Sequence, residues 1–171
     1  MKDIFSIKGK VALVTGGSRG IGEMIAAGFL ASGAKVYISS RKAEICDATA
    51  KRLAKEFEGE CISIPTDLAN INGIEFLANE VTKKESKLDI LINNAGASWG
   101  APIDEYPEMG WDKVMDTNVK GVFFLTQKLL PALRKAASTQ NPSRVVNIGS
   151  IDGIIPSIEP ILTTREGFWV L

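Results

Sequence analysis

Short, largely apolar runs alternate with longer, periodically apolar segments along this chain. The runs are Val11–Thr15, Val36–Ser39, Cys61–Pro65, Leu88–Asn93 and Arg144–Ile148. Each predicts a strand, and a run such as Val11–Thr15 predicts one buried on both faces. The first intervening segment, Ile21–Ala31, predicts a helix. Lys42–Phe57 carries Ile45, Thr49, Leu53 and Phe57 at i,i+4 spacing, and Asn70–Lys84 carries Ile71, Ile74, Leu77, Ala78 and Val81. Each spacing places one apolar stripe on a helix, and Gly59 is placed to end the first of these two. Met109–Ala137 predicts a helix in two pieces. Pro107 stands just before it, and Pro131 is expected to kink the second piece because proline has no N–H to donate. Strands alternating with helices predict an α/β fold, a doubly wound parallel sheet with helices on both faces. No repeat, low-complexity tract or linker divides the chain.

Composition narrows the chemistry. The chain has 171 residues, 20 Lys+Arg against 20 Asp+Glu, two cysteines and no histidine. Without histidine, neither a Ser-His-Asp nor a Cys-His triad can be built, nor a zinc site with imidazole ligands, and no metal site is expected. Zero net charge argues against a nucleic-acid binder, which normally carries a basic excess. Met1–Lys10 has no apolar core of the kind that marks a signal peptide or anchor, and no run approaches the ~20 apolar residues that span a bilayer. Cys46 and Cys61 form no CxxC. They read as free, structural thiols of a reducing compartment, so a cytoplasmic location is expected.

The strongest chemical signal is the turn after the first strand, Thr15-Gly16-Gly17-Ser18-Arg19-Gly20-Ile21-Gly22. Its glycines form GxxxGxG between a strand and a helix, where the backbone must turn tightly and let a phosphate approach. The helix that follows offers free N–H groups to a pyrophosphate. Gly16, Ser18 and Gly20 also match G-x-S-x-G, the hydrolase nucleophile elbow, but the chain has no imidazole to take the proton of Ser18. After the second strand comes Ser39-Ser40-Arg41, where a site for NAD usually has an acidic residue. A guanidinium pairs with a 2′-phosphate that a carboxylate would repel. Arg41, with Arg19 in the glycine turn, therefore points to NADP(H) rather than NAD(H).

These residues resemble the short-chain dehydrogenase/reductases over about Lys8 to Pro156. The motifs are TGGSRGIG at Thr15–Gly22, Asp67-Leu68 after the third strand, Asn93-Asn94-Ala95-Gly96 after the fourth, Asn118 and Ser150. Trp99–Pro102 and Trp111–Val114 resemble the NADPH-dependent 3-oxoacyl reductases of the rhamnolipid-type branch. The resemblance implies a Rossmann-type sheet and an oxidoreductase that reduces a carbonyl or acyl substrate, with family members homo-oligomeric. It implies that Gly16, Ser18, Arg19, Gly20, Ile21 and Gly22 hold the phosphates and that Arg41 meets the 2′-phosphate. Asp67 and Leu68 would flank the adenine. Asn94, Ala95 and Gly96 would line the nicotinamide-side ribose. Ser150 would bond the substrate carbonyl, and Asn118 would hold a water of the proton relay.

The family's proton donor is a tyrosine followed four residues later by a lysine. Neither tyrosine here, Tyr37 or Tyr106, has that partner. From Ser157 the sequence departs from the family pattern, so residues 1–157 are expected to form an incomplete NAD(P)-binding domain and 158–171 an atypical apolar tail. The resemblance implies that the catalytic helix and C-terminal strands are missing, through truncation, a shifted reading frame or a natural short form. Impaired turnover follows, the alternative being a cofactor-binding fragment or truncated product without turnover. Arg144–Ile148 would then be a sheet edge. That edge and the apolar helix Val119–Ala137 are expected to promote self-association.

Overall fold

The computed structural model describes residues 5–150 and the backbone of 167–170. β1 (Val11–Thr15) lies at the centre of a parallel sheet, between β2 (Lys35–Ser39) and β4 (Ile90–Asn93). β3 (Cys61–Ser63) pairs with β2 at one edge, and β6 (Arg144–Asn147) with β4 at the other. The order β3-β2-β1-β4-β6 is that of a doubly wound sheet, and it reverses direction between β1 and β4. Every residue of β1 is buried, as a strand covered on both faces requires.

Alternate β1 side chains serve different layers. Ala12 and Val14 pack with Val36, Ile38 and Ile92 under α1 (Gly20–Ala31) and α2 (Ala43–Glu56). Val11 and Leu13 pack with Leu91 on the opposite face, under α3 (Ile71–Lys84) and α5 (Val122–Ala136). α4 (Glu108–Met115) leads into α5 through a π-helical turn at Asp116–Gly121. The expected division into two helical pieces thus lies at this wider turn. The helix continues through Pro131.

The element bounds are mostly shorter than the sequence pattern suggested, by one or two residues in β3, β4 and β6. The α2 stripe differs in phase. Cys46, Thr49, Ala50 and Leu53 face the core, while Ile45 is 44% exposed. On α3, Ile74, Leu77, Ala78 and Val81 are buried and Ile71 lies at the rim. Cys46 is buried as expected, whereas Cys61 is only partly so. Burial pushes both thiols up, that of Cys61 to about 11.

A further strand, β5 (Trp99–Pro102), has no counterpart in the apolar pattern. It pairs antiparallel with β7 (Gly167–Val170). Of the tail expected over 158–171, the remainder lies outside the described residues. Among the described residues β6 pairs only with β4, and all four of its residues are exposed. No described helix is long and apolar enough to cross a membrane.

Two polar clusters fix the ends of strands. Asp89, almost fully buried, accepts from Lys10 Nζ and from the Val11 N–H, each at 3.0 Å. The Tyr37 hydroxyl donates to Glu85 Oε1 at 2.7 Å, and Lys35 Nζ lies 2.9 Å from the same oxygen. Burial alone would raise the Glu85 carboxyl. The hydrogen bonds from Tyr37 and Lys35 outweigh it and hold the group below the ordinary carboxylate range.

Candidate functional site

The carboxyl ends of β1, β2 and β4 open onto a cleft of about 720 Å³, a size that suits a small-molecule ligand. It lies where the strand order reverses, the usual place for a ligand in an open α/β sheet.

The glycine-rich turn forms the near wall. Gly16 has φ +65°, a conformation strained for any side chain, and a Cβ there would lie 2.8 Å from Asn94 Nδ2. The Gly17 N–H donates to the Ser39 carbonyl at 3.2 Å, and Thr49 Oγ1 on α2 donates to the Ser18 carbonyl at 3.0 Å. These two bonds pin the turn to β2 and α2. Arg19 is the N-cap of α1 and provides no side-chain cap. The first-turn N–H groups are therefore available to an acceptor from outside.

Across the cleft, Thr15 Oγ1 accepts from the Asn94 and Ala95 N–H groups at 2.9 and 3.0 Å and donates to the Ile92 carbonyl at 3.3 Å. Asn94 Nδ2 donates back to the Thr15 carbonyl at 2.9 Å. Asn93 Nδ2 spans to Asn147 Oδ1 at 2.9 Å and Thr126 Oγ1 at 3.2 Å. This network ties the ends of β1, β4, β6 and α5 together.

Gly16, Ser18, Arg19, Gly20, Ile21, Arg41, Asp67, Leu68, Asn94, Ala95 and Gly96 all line the cleft. Gly22 does not. It is buried behind the wall, where a Cβ would collide with the Gly16 carbonyl and the Asn94 side chain. Asn118 sits in the π-helical turn, outside the lining. Its Oδ1 accepts from the Ala97 N–H and its Nδ2 donates to the Ala97 carbonyl, both at 2.8 Å. Ser150 follows β6, past Ile148, whose N–H bonds the Asn93 carbonyl at 2.9 Å. Neither tyrosine lines the cleft. Tyr37 is engaged with Glu85, and the Tyr106 hydroxyl donates to the Trp99 carbonyl at 3.5 Å.

Ser39, Ser40, Lys42, Ile45, Thr66 and Thr117 also line the cleft and were not assigned to it from sequence. The signal for Ser40 and Lys42 was adjacency to Arg41. Among the described residues, Ser39 Oγ and Ser40 Oγ are the buried side-chain oxygens without a hydrogen-bond partner. Arg19, Arg41 and Lys42 supply positive charge, against the single carboxylate of Asp67. Unpartnered hydroxyls, three cations, open helix N–H groups and a glycine wall together suit an elongated polyanion.

A family profile described as short chain dehydrogenase matches residues 10–161. Over 154 residues the chain is 53% identical to the rhamnolipids biosynthesis 3-oxoacyl-[acyl-carrier-protein] reductase of Pseudomonas aeruginosa, covering 90% of this chain and 59% of that protein. It is 35% identical to the gluconate 5-dehydrogenase of Gluconobacter oxydans, covering 95% of this chain and 62% of that protein. Among solved structures, a Pseudomonas aeruginosa RhlG/NADP active-site complex superposes with a TM-score of 0.86 at 52% identity, over 92% of this chain and 60% of that one. The L-sorbose reductase of Gluconobacter frateurii, complexed with NADPH and L-sorbose, gives 0.83 at 28% identity, over 89% and 56%. The chain thus spans about three fifths of the length of the relatives it matches.

Proposed function

The chain belongs to the short-chain dehydrogenase family, and on that premise we propose that it binds NADP(H) in this cleft and serves the reduction of a carbonyl, with a 3-oxoacyl compound as the substrate class. The observation that carries the reading is the pairing of a capless helix N-terminus at Gly20 with uncommitted cations at Arg19, Arg41 and Lys42 along one continuous cleft. A pyrophosphate fits the first and a 2′-phosphate the second. The partly apolar pocket of Leu68 beside Asp67 suits an adenine. The 3-oxoacyl assignment rests on the likeness to the Pseudomonas reductase.

Bound NADPH would supply the hydride. The residues of this chain would do the rest of the positioning. Gly16, Ser18, Gly20 and Ile21 would hold the phosphates, with Gly22 keeping the helix tight against the turn. Asn94, Ala95 and Gly96 would fix the nicotinamide-side ribose. Ser150 Oγ would donate to the substrate carbonyl oxygen, and Asn118 would order the loop beside it and a water of the proton path. These 171 residues contain no tyrosine followed four residues later by lysine, and both tyrosines are committed away from the cleft. For these residues by themselves the proposal is therefore a carbonyl reductase with impaired turnover.

Titration with NADPH and NADH, followed by nicotinamide fluorescence, tests the reading. NADPH is expected to bind more tightly, and Arg41→Ala to remove at least about tenfold of that advantage, since a charge-assisted hydrogen bond is worth about 1.5–3 kcal/mol. Equal affinity for the two nucleotides, or no binding, overturns it. Rapid NADPH oxidation with a 3-oxoacyl substrate, abolished by Ser150→Ala, would refute the low-turnover part alone.

A further inference from the structure

The π-helical turn Asp116–Gly121 touches both walls of the cleft. On one side, Asn118 clasps the backbone of Ala97 through two hydrogen bonds of 2.8 Å, immediately after Asn94–Gly96. On the other, Gly121 abuts the loop after β3. A Cβ at Gly121 would stand 2.8 Å from the Leu68 carbonyl oxygen and 3.2 Å from that of Asp116. Thr117, immediately before Asn118, lines the cleft itself. The loop bearing Asp67 and Leu68 has little room to retreat, because Gly73 on α3 is packed directly against the Asp67 carbonyl. Three residues apart, Asn118 and Gly121 would share one face of a regular α-helix; the wider π-turn spreads them around the axis, and π-turns often mark functional positions.

Resting on the NADP(H) reading above, we propose that this turn is a strut coupling the two halves of the cofactor cleft, and that Gly121 is a positioning residue for the Asp67–Leu68 wall. The backbone of Gly121 is ordinary right-handed helix, with φ −59° and ψ −47°. The glycine is therefore not needed for its torsions, and alanine there favours the helix. What glycine provides is clearance for the Leu68 carbonyl. Filling that space moves the adenine-side wall or the turn, and movement of the turn reaches Ala97 through Asn118. Coupling of this kind is reciprocal: a ligand that orders one wall orders the other.

The test uses the whole chain and two halves of the cofactor, adenosine 2′,5′-bisphosphate and reduced nicotinamide mononucleotide, with affinities from calorimetry. Gly121→Ala is expected to weaken the adenosine bisphosphate at least fivefold while leaving the thermal midpoint within a few degrees of wild type. In the unmodified chain, adenosine bisphosphate is expected to slow hydrogen exchange at the Ala97 amide severalfold, although it binds on the far side of the turn. This second measurement stands even if the variant does not fold. Unchanged bisphosphate affinity in Gly121→Ala, or no protection at Ala97 in a wild-type chain that binds the bisphosphate, overturns the strut and leaves the cofactor site standing. Failure of the wild-type chain to bind NADPH overturns both.

Discussion

Thr15 and Asn94 hold each other at two points. The Thr15 hydroxyl oxygen accepts from the Asn94 N–H at 2.9 Å, while Asn94 Nδ2 donates to the Thr15 carbonyl at 2.9 Å. Thr15 closes β1 and Asn94 follows β4, so this exchange fixes the two strand ends between which the cleft opens. Thr15→Val keeps the shape and removes the hydroxyl, leaving the Asn94 and Ala95 N–H groups without their acceptor. Loss of about 1–3 kcal/mol in urea denaturation is expected. A change under about 0.5 kcal/mol, the ordinary range for a neutral surface substitution, would show the exchange to be dispensable.

Trp99 lies against Gly110 so closely that a Cβ at Gly110 would sit 2.6 Å from the indole Cδ1, and Lys113 Nζ stands 5.0 Å from the ring centroid. Gly110→Ala is therefore expected to displace the indole. Overpacking of this kind costs about 1–3 kcal/mol, more than the helix propensity of alanine returns. Thermal unfolding with tryptophan fluorescence checks both the loss and the displacement, and an unchanged midpoint and spectrum would refute the contact.

Glu85 gives the fold an acid-sensitive point. Its carboxyl is held below the ordinary value of 4.5 in the folded chain. The stability it contributes is therefore present above that value and lost as pH falls through the lower folded one. Tyr37→Phe removes one of the donors that stabilise the carboxylate. The variant is expected to lose less stability than wild type between about pH 5 and pH 3 in urea titrations. Parallel curves for the two proteins would mean that the Tyr37 bond does not set the Glu85 titration.

Among the described residues β6 pairs on one side only, and Val145 and Val146 are exposed at 43% and 41%. Edges of this kind recruit other strands unless charged residues blunt them. Sedimentation is expected to show association that grows with protein concentration and is reduced by Val146→Lys. A wild-type chain that stays monomeric at all concentrations would contradict this.

The parallel sheet was readable because β1 and its neighbours are short apolar runs that only a twice-covered strand explains. The glycine turn was readable because GxxxGxG sits at a strand end and opens a helix. Ile45 was misplaced because a stripe starting at Ile45 and one starting at Cys46 share Thr49 and Leu53, and only packing on Ile38 chooses between them. β5 left no local trace, since its partner is distant in sequence and Trp99-Gly100-Ala101-Pro102 lacks strand alternation. Ser39, Ser40 and Thr66 were visible as residues but not as lining, because their common position arises from the pairing of β2 with β1 and β3. Gly121 is the extreme case. Nothing in a lone helical glycine announces that a carbonyl from another loop lies against it.

The reversal of strand order between β1 and β4 also determines how a ligand arrives. The connections leaving these two strands part to opposite faces of the sheet, and among the described residues the slot between them opens to solvent. Arg19 and Arg41 stand exposed at its rim. A dinucleotide can be drawn in from solution by its phosphates before it touches the glycine turn. Encounter then depends on long-range charge and falls with ionic strength.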